Sequence, residues 1–292
     1  MLKIKVLSLI FLLILSSLMI TGCTEENEED HDLNIVVTIP PQKEFVDEIG
    51  KEKVKVTVMV PPGQEPHSYE PTTQQMKEVS KADLYFKVGS GVEFELSWMD
   101  NLKEQNPDMV VVDGSEGIAL RDMGENGGEN KDPHIWLSPS NAVKMTDNLL
   151  QAMKEEDENN ADFYEENADD YRARLQKLDS NISEMLSPYE NRKFLVYHPS
   201  FGYFADTYNL TQIAVEEDGK EPGTQGLQAI IEQAEEENIT VVFVEPQFDQ
   251  SSAETIADEI DGKVVSINPL AEDYVDNLEV IAEELNSAFG GD

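Results

Sequence analysis

Along this chain, short β-branched apolar runs alternate with segments whose apolar positions recur at helical spacing. Leu33–Ile39, Val54–Val60, Leu84–Val88 and Met109–Val112 read as strands. Gln42–Ile49, Thr72–Lys81 and Val92–Gln105 fall between them and read as helices; Thr72 is a residue type suited to capping the second. Farther on, Tyr164, Ala168, Tyr171, Leu175, Leu178, Ile182 and Met185 follow one another in alternating steps of four and three. That spacing is the stripe of one long helix, which Pro188 ends. The alternation then resumes, with strands at Phe194–Tyr197, Gln212–Val215, Val241–Glu245 and Val264–Asn268. Helices are expected at Phe201–Tyr208, Thr224–Glu237, Ser251–Ile260 and Asp273–Phe289. Strands alternating with helices argue for parallel sheets. The pattern predicts an α/β protein of two lobes, each a small, mostly parallel sheet with flanking helices, joined by one long rigid helix. The expected divisions are an N-terminal lobe at 33–157, a linking helix at 158–188 and a C-terminal lobe at 189–292.

The first 32 residues break this pattern. Lys3 and Lys5 precede an apolar stretch from Val6 to Ile20, followed by Thr21-Gly22-Cys23. A short basic region, an apolar core of this length and small residues before a cut site predict a secretory signal over 1–22. A spanning helix would need ~20 apolar residues and no processing site. Small residues ahead of a cysteine resemble a lipobox, in which Cys23 is lipidated and becomes the first mature residue. The expected location is therefore extracytoplasmic, on the outer face of the cell membrane. An uncleaved anchor helix would leave that topology nearly unchanged. Residues 23–32 are rich in acids and read as a solvated tether, so His31 within it reads as solvated.

Composition narrows the chemistry. Cys23 is the single cysteine, which excludes a disulfide framework and a thiolate metal cage. Sixty acids against 21 bases give a formal charge of −39, and a field of that sign repels phosphate, so nucleic acid is excluded as a partner. The acids are spread along the whole chain, which fits a salt-adapted surface better than a cation-concentrating funnel.

Four histidines occur in 292 residues. Apart from His31, each abuts a proline: Pro66-His67, Pro133-His134 and His198-Pro199. Each also stands just past a predicted strand or in a loop leading into a helix. In parallel α/β lobes, ligands bind at the carboxyl ends of strands. Proline stiffens such a loop, and three neutral imidazoles fill three of the four tetrahedral positions that Zn²⁺ favours. Any one of these histidines alone reads more readily as a structural residue than as a ligand; the three together point to a metal site.

Several ordered motifs carry a resemblance. Val60-Pro61-Pro62-Gly63-Gln64-Glu65-Pro66-His67-Ser68-Tyr69-Glu70-Pro71 resembles the first ligand loop of the zinc/manganese solute-binding lipoproteins of ABC importers. Asp132-Pro133-His134-Ile135-Trp136-Leu137-Ser138-Pro139 resembles their second, and His198-Pro199-Ser200-Phe201-Gly202-Tyr203-Phe204 their third. Val244-Glu245-Pro246-Gln247-Phe248 and Asn268-Pro269-Leu270 are similar to two further signatures, so the likeness runs from about Ile35 to the C-terminus. It implies a rigid two-lobed fold with one metal in the cleft, bound by His67, His134 and His198. It also implies a membrane permease and a cytoplasmic ATPase as partners, on other chains, with the binding protein acting as a monomer. Many relatives carry a carboxylate where this chain has Asn268, and some use an acid beside the first histidine. Asn268 and Glu65 are therefore the candidates for a fourth metal position. Zinc-type relatives often bear a histidine-rich loop before the second ligand; the corresponding Asp122–Asp132 has no histidine.

Three imidazoles without an anionic oxygen suit Zn²⁺, whereas Mn²⁺, the alternative cargo, prefers oxygen-rich sites. Two other classes compete. A three-histidine site with an open water position is also the layout of a zinc hydrolase, but no His-Glu-x-x-His pair or other local arrangement of base and ligand accompanies it, and Glu245, at a strand end, reads more simply as a structural acid than as a base. A surface adhesin or metal store also fits a lipid anchor, though a store would want more than one good site.

Overall fold

The computed structural model describes residues 31–123, 131–216, 220–248 and 250–290. The expected leader over 1–22, the lipid-anchor Cys23, nearly all of the tether and the middle of the Asp122–Asp132 loop lie outside the described residues.

The first sheet is built from β1 (Leu33–Val37), β2 (Val54–Val58), β3 (Leu84–Lys87) and β4 (Val110–Asp113), in the order β2-β1-β3-β4. All its pairings are parallel. The second repeats that order as β6-β5-β7-β8, also parallel, from β5 (Lys193–Val196), β6 (Thr211–Ala214), β7 (Val241–Val244) and β8 (Lys263–Ser266). Three helices alternate with the first four strands: α1 (Pro41–Gly50), α2 (Thr73–Val79) and α3 (Glu93–Gln105). Thr72 caps α2 as expected; its hydroxyl accepts the Gln75 N–H while the Gln75 side chain reaches back to the Thr72 amide.

Most strands are shorter at their carboxyl ends than the apolar runs imply. Ile39, Val60, Tyr197 and Asn268 lie past the last paired residue of β1, β2, β5 and β8. Ile39, Val60 and Tyr197 are buried without being in the sheet, because the chain turns there to form the loops that carry chemistry.

Two long helices follow. α4 (Pro139–Glu156) stands where the sequence pattern predicted no element. Its buried face mixes Ala142 and Thr146 with Met145, Leu149, Leu150 and Met153, which dilutes the apolar repeat. Thr146 is tolerated there because its hydroxyl donates to the Ala142 carbonyl at 2.7 Å. α5 (Ala161–Leu186) is the predicted long helix, 26 residues and so about 39 Å at ~1.5 Å per residue. Its buried stripe is the predicted one through Ile182, after which Leu186 rather than Met185 turns inward. α5 packs on α1 and α4 and on the final helix α9 (Tyr274–Ala288), so one helix ties both lobes together. A continuous apolar core runs through both lobes along it, and a smaller cluster around Leu195, Val242 and Ile256 fills the far side of the second sheet. The second lobe is completed by α6 (Gly202–Thr207), α7 (Thr224–Glu236) and α8 (Ser251–Glu259). No helix among the described residues is long and apolar enough to cross a membrane.

Candidate metal centre

The carboxyl ends of both sheets meet at one cleft. His67 lies in the β2–α2 loop, His134 in the segment between β4 and α4, and His198 two residues past the end of β5. The structure brings all three together. The His198 ring centroid lies 5.6 Å from that of His67 and 5.3 Å from that of His134. Imidazoles bound tetrahedrally at ~2.0–2.1 Å from an ion would have centroids roughly 5 Å apart. The rings stop just short of a closed cage: among the described residues, no three His, Cys, Asp or Glu side chains are already gathered as a metal-holding group.

Each imidazole is oriented by a carboxylate. His67 Nδ1 pairs with Glu93 at 3.0 Å, His134 Nδ1 with Asp132 at 2.8 Å and His198 Nδ1 with Glu216 at 2.7 Å. A hydrogen bond from Nδ1–H fixes the tautomer and leaves Nε2 with the lone pair a metal requires. The three surroundings differ. His67 is about a third exposed, and its hydrogen bond to Glu93 raises its pKa against the opposing effect of burial. Burial lowers the pKa of His198, outweighing the upward pull of Glu216. Burial alone would raise the carboxyl groups of Glu93 and Asp132, but their hydrogen bonds to and charge interactions with His67 and His134 leave both lowered.

The loops behind these pairs are fastened by buried polar groups. Glu95 accepts from the Val88 and Gly89 amides at 2.6 and 2.9 Å and from the Thr38 hydroxyl at 2.6 Å, which fixes the turn that presents Glu93. Glu245 accepts from the Ser200 hydroxyl at 2.8 Å and from the His198 amide at 3.4 Å. Burial pushes the Glu245 carboxyl up to about 7. Phe248 stacks on the His198 ring at 5.1 Å and 21°, and Trp136 meets His134 edge-on at 5.3 Å.

The two candidate fourth ligands are placed differently. Glu65 lines the same cavity as the three histidines. Asn268 stands one layer back, while its neighbours Gln247, Pro269 and Leu270 line the wall. Its Oδ1 accepts from the Leu270 amide at 3.0 Å and from the Gln247 amide nitrogen at 3.3 Å, an Asx turn that leaves an NH₂ group, a donor, as the rest of the side chain. Glu93 and Glu216 do not stand out in the sequence, and Asp132 stands out there only as part of a motif. Asp132 had a signal in its spacing, two residues before His134; Glu93 and Glu216 had none among sixty acids.

The cavity enclosed by these groups measures about 40 Å³. One water-sized probe needs ~10–15 Å³, and organic-ligand pockets run to ~300–1,000 Å³. The space suits an ion with a water or two, not an organic substrate. A two-lobed α/β protein whose strand ends converge on an ion-sized, imidazole-lined cleft is a binding protein for a small cation. The chain belongs to the ZnuA family, described as zinc-uptake complex component A, periplasmic, whose model matches residues 35–288. That is a family of uptake-system binding components, not of enzymes. It is 30 % identical over 253 residues to the high-affinity zinc uptake system protein ZnuA of Bacillus subtilis, covering 82 % of this chain and 78 % of that protein. Over 257 residues it is 29 % identical to the manganese-binding lipoprotein MntA of Halalkalibacterium halodurans, covering 85 % and 84 %. A crystal structure of ZnuA superposes with a TM-score of 0.85 at 40 % identity, covering 89 % of this chain and 99 % of that one.

Proposed function

We propose that this chain is an extracytoplasmic solute-binding protein, anchored through lipidated Cys23, that captures a divalent transition metal in the cleft between its lobes. It passes the ion, zinc in preference to manganese, to a membrane permease driven by a cytoplasmic ATPase. The protein acts as a monomer, and His67, His134 and His198 are its metal ligands.

The observation that supports this reading most directly is the matched set of three Nδ1–carboxylate pairs. Each pair leaves an Nε2 donor on the wall of one ion-sized cavity. Zinc is favoured because the nitrogen donors outnumber the oxygens and the one position where relatives often carry an acid is here an amide facing away. Relatives named for zinc and for manganese both match this chain, so ligand chemistry carries the choice between them. Relatives are named lipoproteins, which agrees with the Cys23 signal.

The test is calorimetric titration with Zn²⁺ and Mn²⁺ of His67→Ala, His134→Ala and His198→Ala, each checked for its fold. Each substitution is expected to weaken Zn²⁺ binding by several orders of magnitude. Near-parental affinity in any one would remove that histidine from the site, and tighter Mn²⁺ than Zn²⁺ binding by the parent would reverse the choice of cargo.

A further inference from the structure

We propose that Arg121 is a positioning residue that makes the orientation of His134 depend on the docking of the C-terminal lobe. The inference rests on the reading of His134 as a metal ligand. The two oxygens of Asp132, whose side chain is fully buried, have separate duties. Oδ1 holds the His134 ring at 2.8 Å and the His134 amide at 3.0 Å. Oδ2 accepts from Arg121 Nη1 at 2.9 Å. Arg121 Nε donates in turn to Asp206 at 3.0 Å, and Asp206 lies on α6 of the other lobe. One planar guanidinium thus joins the carboxylate that aims His134 to a helix across the cleft, a bridge for which the fixed fork of arginine is suited and a lysine point charge is not.

Tyr203, also on α6, closes the same junction. Its hydroxyl accepts from the Arg121 amide at 2.9 Å and donates to the Asp132 carbonyl at 3.3 Å. Gly202 supplies an independent indication. A Cβ at Gly202 would lie 1.7 Å from Arg121 Nη1 and 2.4 Å from Asp132 Oδ2. The α6 backbone passes so close to the ion pair that a methyl group cannot be accommodated unless the arginine and the Asp132 carboxylate are displaced. The far ends of side chains yield before backbone does, so an added methyl group breaks the bridge and spares the fold. The His134 segment is therefore held by contacts from the C-terminal lobe, although it follows the last strand of the N-terminal sheet. When the lobes part, Arg121 loses Asp206 and Asp132 loses the Tyr203 hydroxyl, so the Arg121–Asp132 pair that aims His134 is no longer held from outside.

The experiment compares Arg121→Ala, Gly202→Ala and the double variant, with His134→Ala as the control for the site itself. The readouts are Zn²⁺ release into excess chelator and the visible spectrum of the Co²⁺-loaded protein, which reports ligand geometry. Groups that orient metal ligands contribute ~10–100-fold to affinity. Each single variant is expected to release zinc about tenfold faster with an altered Co²⁺ spectrum, and the double variant no faster than the worse single, because both changes break one bridge. Gly202→Ala is the sharper arm, since alanine is ordinarily the better helix former. Parental release rates in the folded single variants, or losses that add in the double variant, would overturn the proposal. If Arg121→Ala does not fold, Asp206→Ala, which removes only the outer half of the bridge, takes its place with the same expectation. Tight zinc binding by His134→Ala would instead overturn the assignment of that ligand.

Discussion

His67 and His198 face the same cavity from unlike surroundings, and their proton affinities separate accordingly. The hydrogen bond to Glu93 raises His67, while burial lowers His198. Imidazole binds metal only when neutral, so with the proposed ligands acidification takes His67 out of the site before His198. In the metal-free protein, NMR titration of the ring signals is expected to place His67 above the ordinary ~6.5 and His198 below it; the reverse order would contradict the described pairing. Zinc affinity then starts to fall as pH drops through the raised His67 value and steepens below it. The sign is opposite for the metal-free fold. A histidine raised on folding favours the folded state below its unfolded pKa, and that contribution fades as pH rises through the folded value. Asn268 offers a second test. Aspartate there still accepts the Leu270 amide, so the turn survives, and a carboxylate one layer behind the wall attracts any dication alike. Asn268→Asp is expected to strengthen Zn²⁺ and Mn²⁺ binding together, leaving the ratio of their dissociation constants unchanged. A ratio shifted toward Mn²⁺ would mean that the new oxygen reaches the ion, because the harder ion gains more from direct contact. The three histidines were legible because the chain has so few and each abuts proline. Their partners Glu93 and Glu216 were not, because an acid one strand farther along the chain is visible only once the sheets bring it beside a ring.

The loops that carry these residues are held with very different firmness. Within 61–70 only two backbone hydrogen bonds are formed, Gln64 to Pro61 and Ser68 to Glu65, and most of the segment is exposed. The segment 132–138 is buried and fastened on several sides. The Trp136 indole donates to the Pro269 carbonyl at 2.8 Å, and the Tyr274 hydroxyl donates back to the Trp136 carbonyl at 2.6 Å. Local opening follows the density of such contacts. Amide exchange in the metal-free protein is therefore expected to be fast across 61–70 and slow across 132–138, with zinc slowing the first and scarcely altering the second. Equal exchange in both segments would show that the cleft opens as a unit rather than by its His67 side. The strand–helix alternation of each lobe was readable because β-branched runs and helical stripes repeat without interruption. α4 was not, because Ala142 and Thr146 thin its apolar face, and its stability comes from packing against α5 rather than from its own pattern.

Sixty acids against 21 bases leave a large excess of negative charge, however the surface is arranged. Several of the ion pairs that do form, such as Lys43–Asp47, Lys55–Glu78 and Arg172–Asp147, are part-exposed. Pairs of this kind contribute ~0–1 kcal/mol each. Salt weakens those attractions and the far more numerous repulsions together, so the sign of its effect depends on which set is larger. At a formal charge of −39 the repulsions dominate. Their reach is ~30 Å at 0.01 M salt, comparable with a whole lobe, and ~10 Å at 0.1 M. The metal-free protein is therefore expected to melt at progressively higher temperature as NaCl rises from ~0.01 to ~0.3 M, a range in which screening acts before general salting-out effects. Most of the gain should fall below ~0.1 M, where the screening length changes most. Part of the same repulsion should vanish when a dication enters the cleft, so the increase in melting temperature produced by zinc should be largest at low salt and shrink as salt is added. A melting temperature flat across this range would mean that the acids are spaced widely enough to ignore one another. A falling one would mean that the few ion pairs outweigh the uncompensated acids.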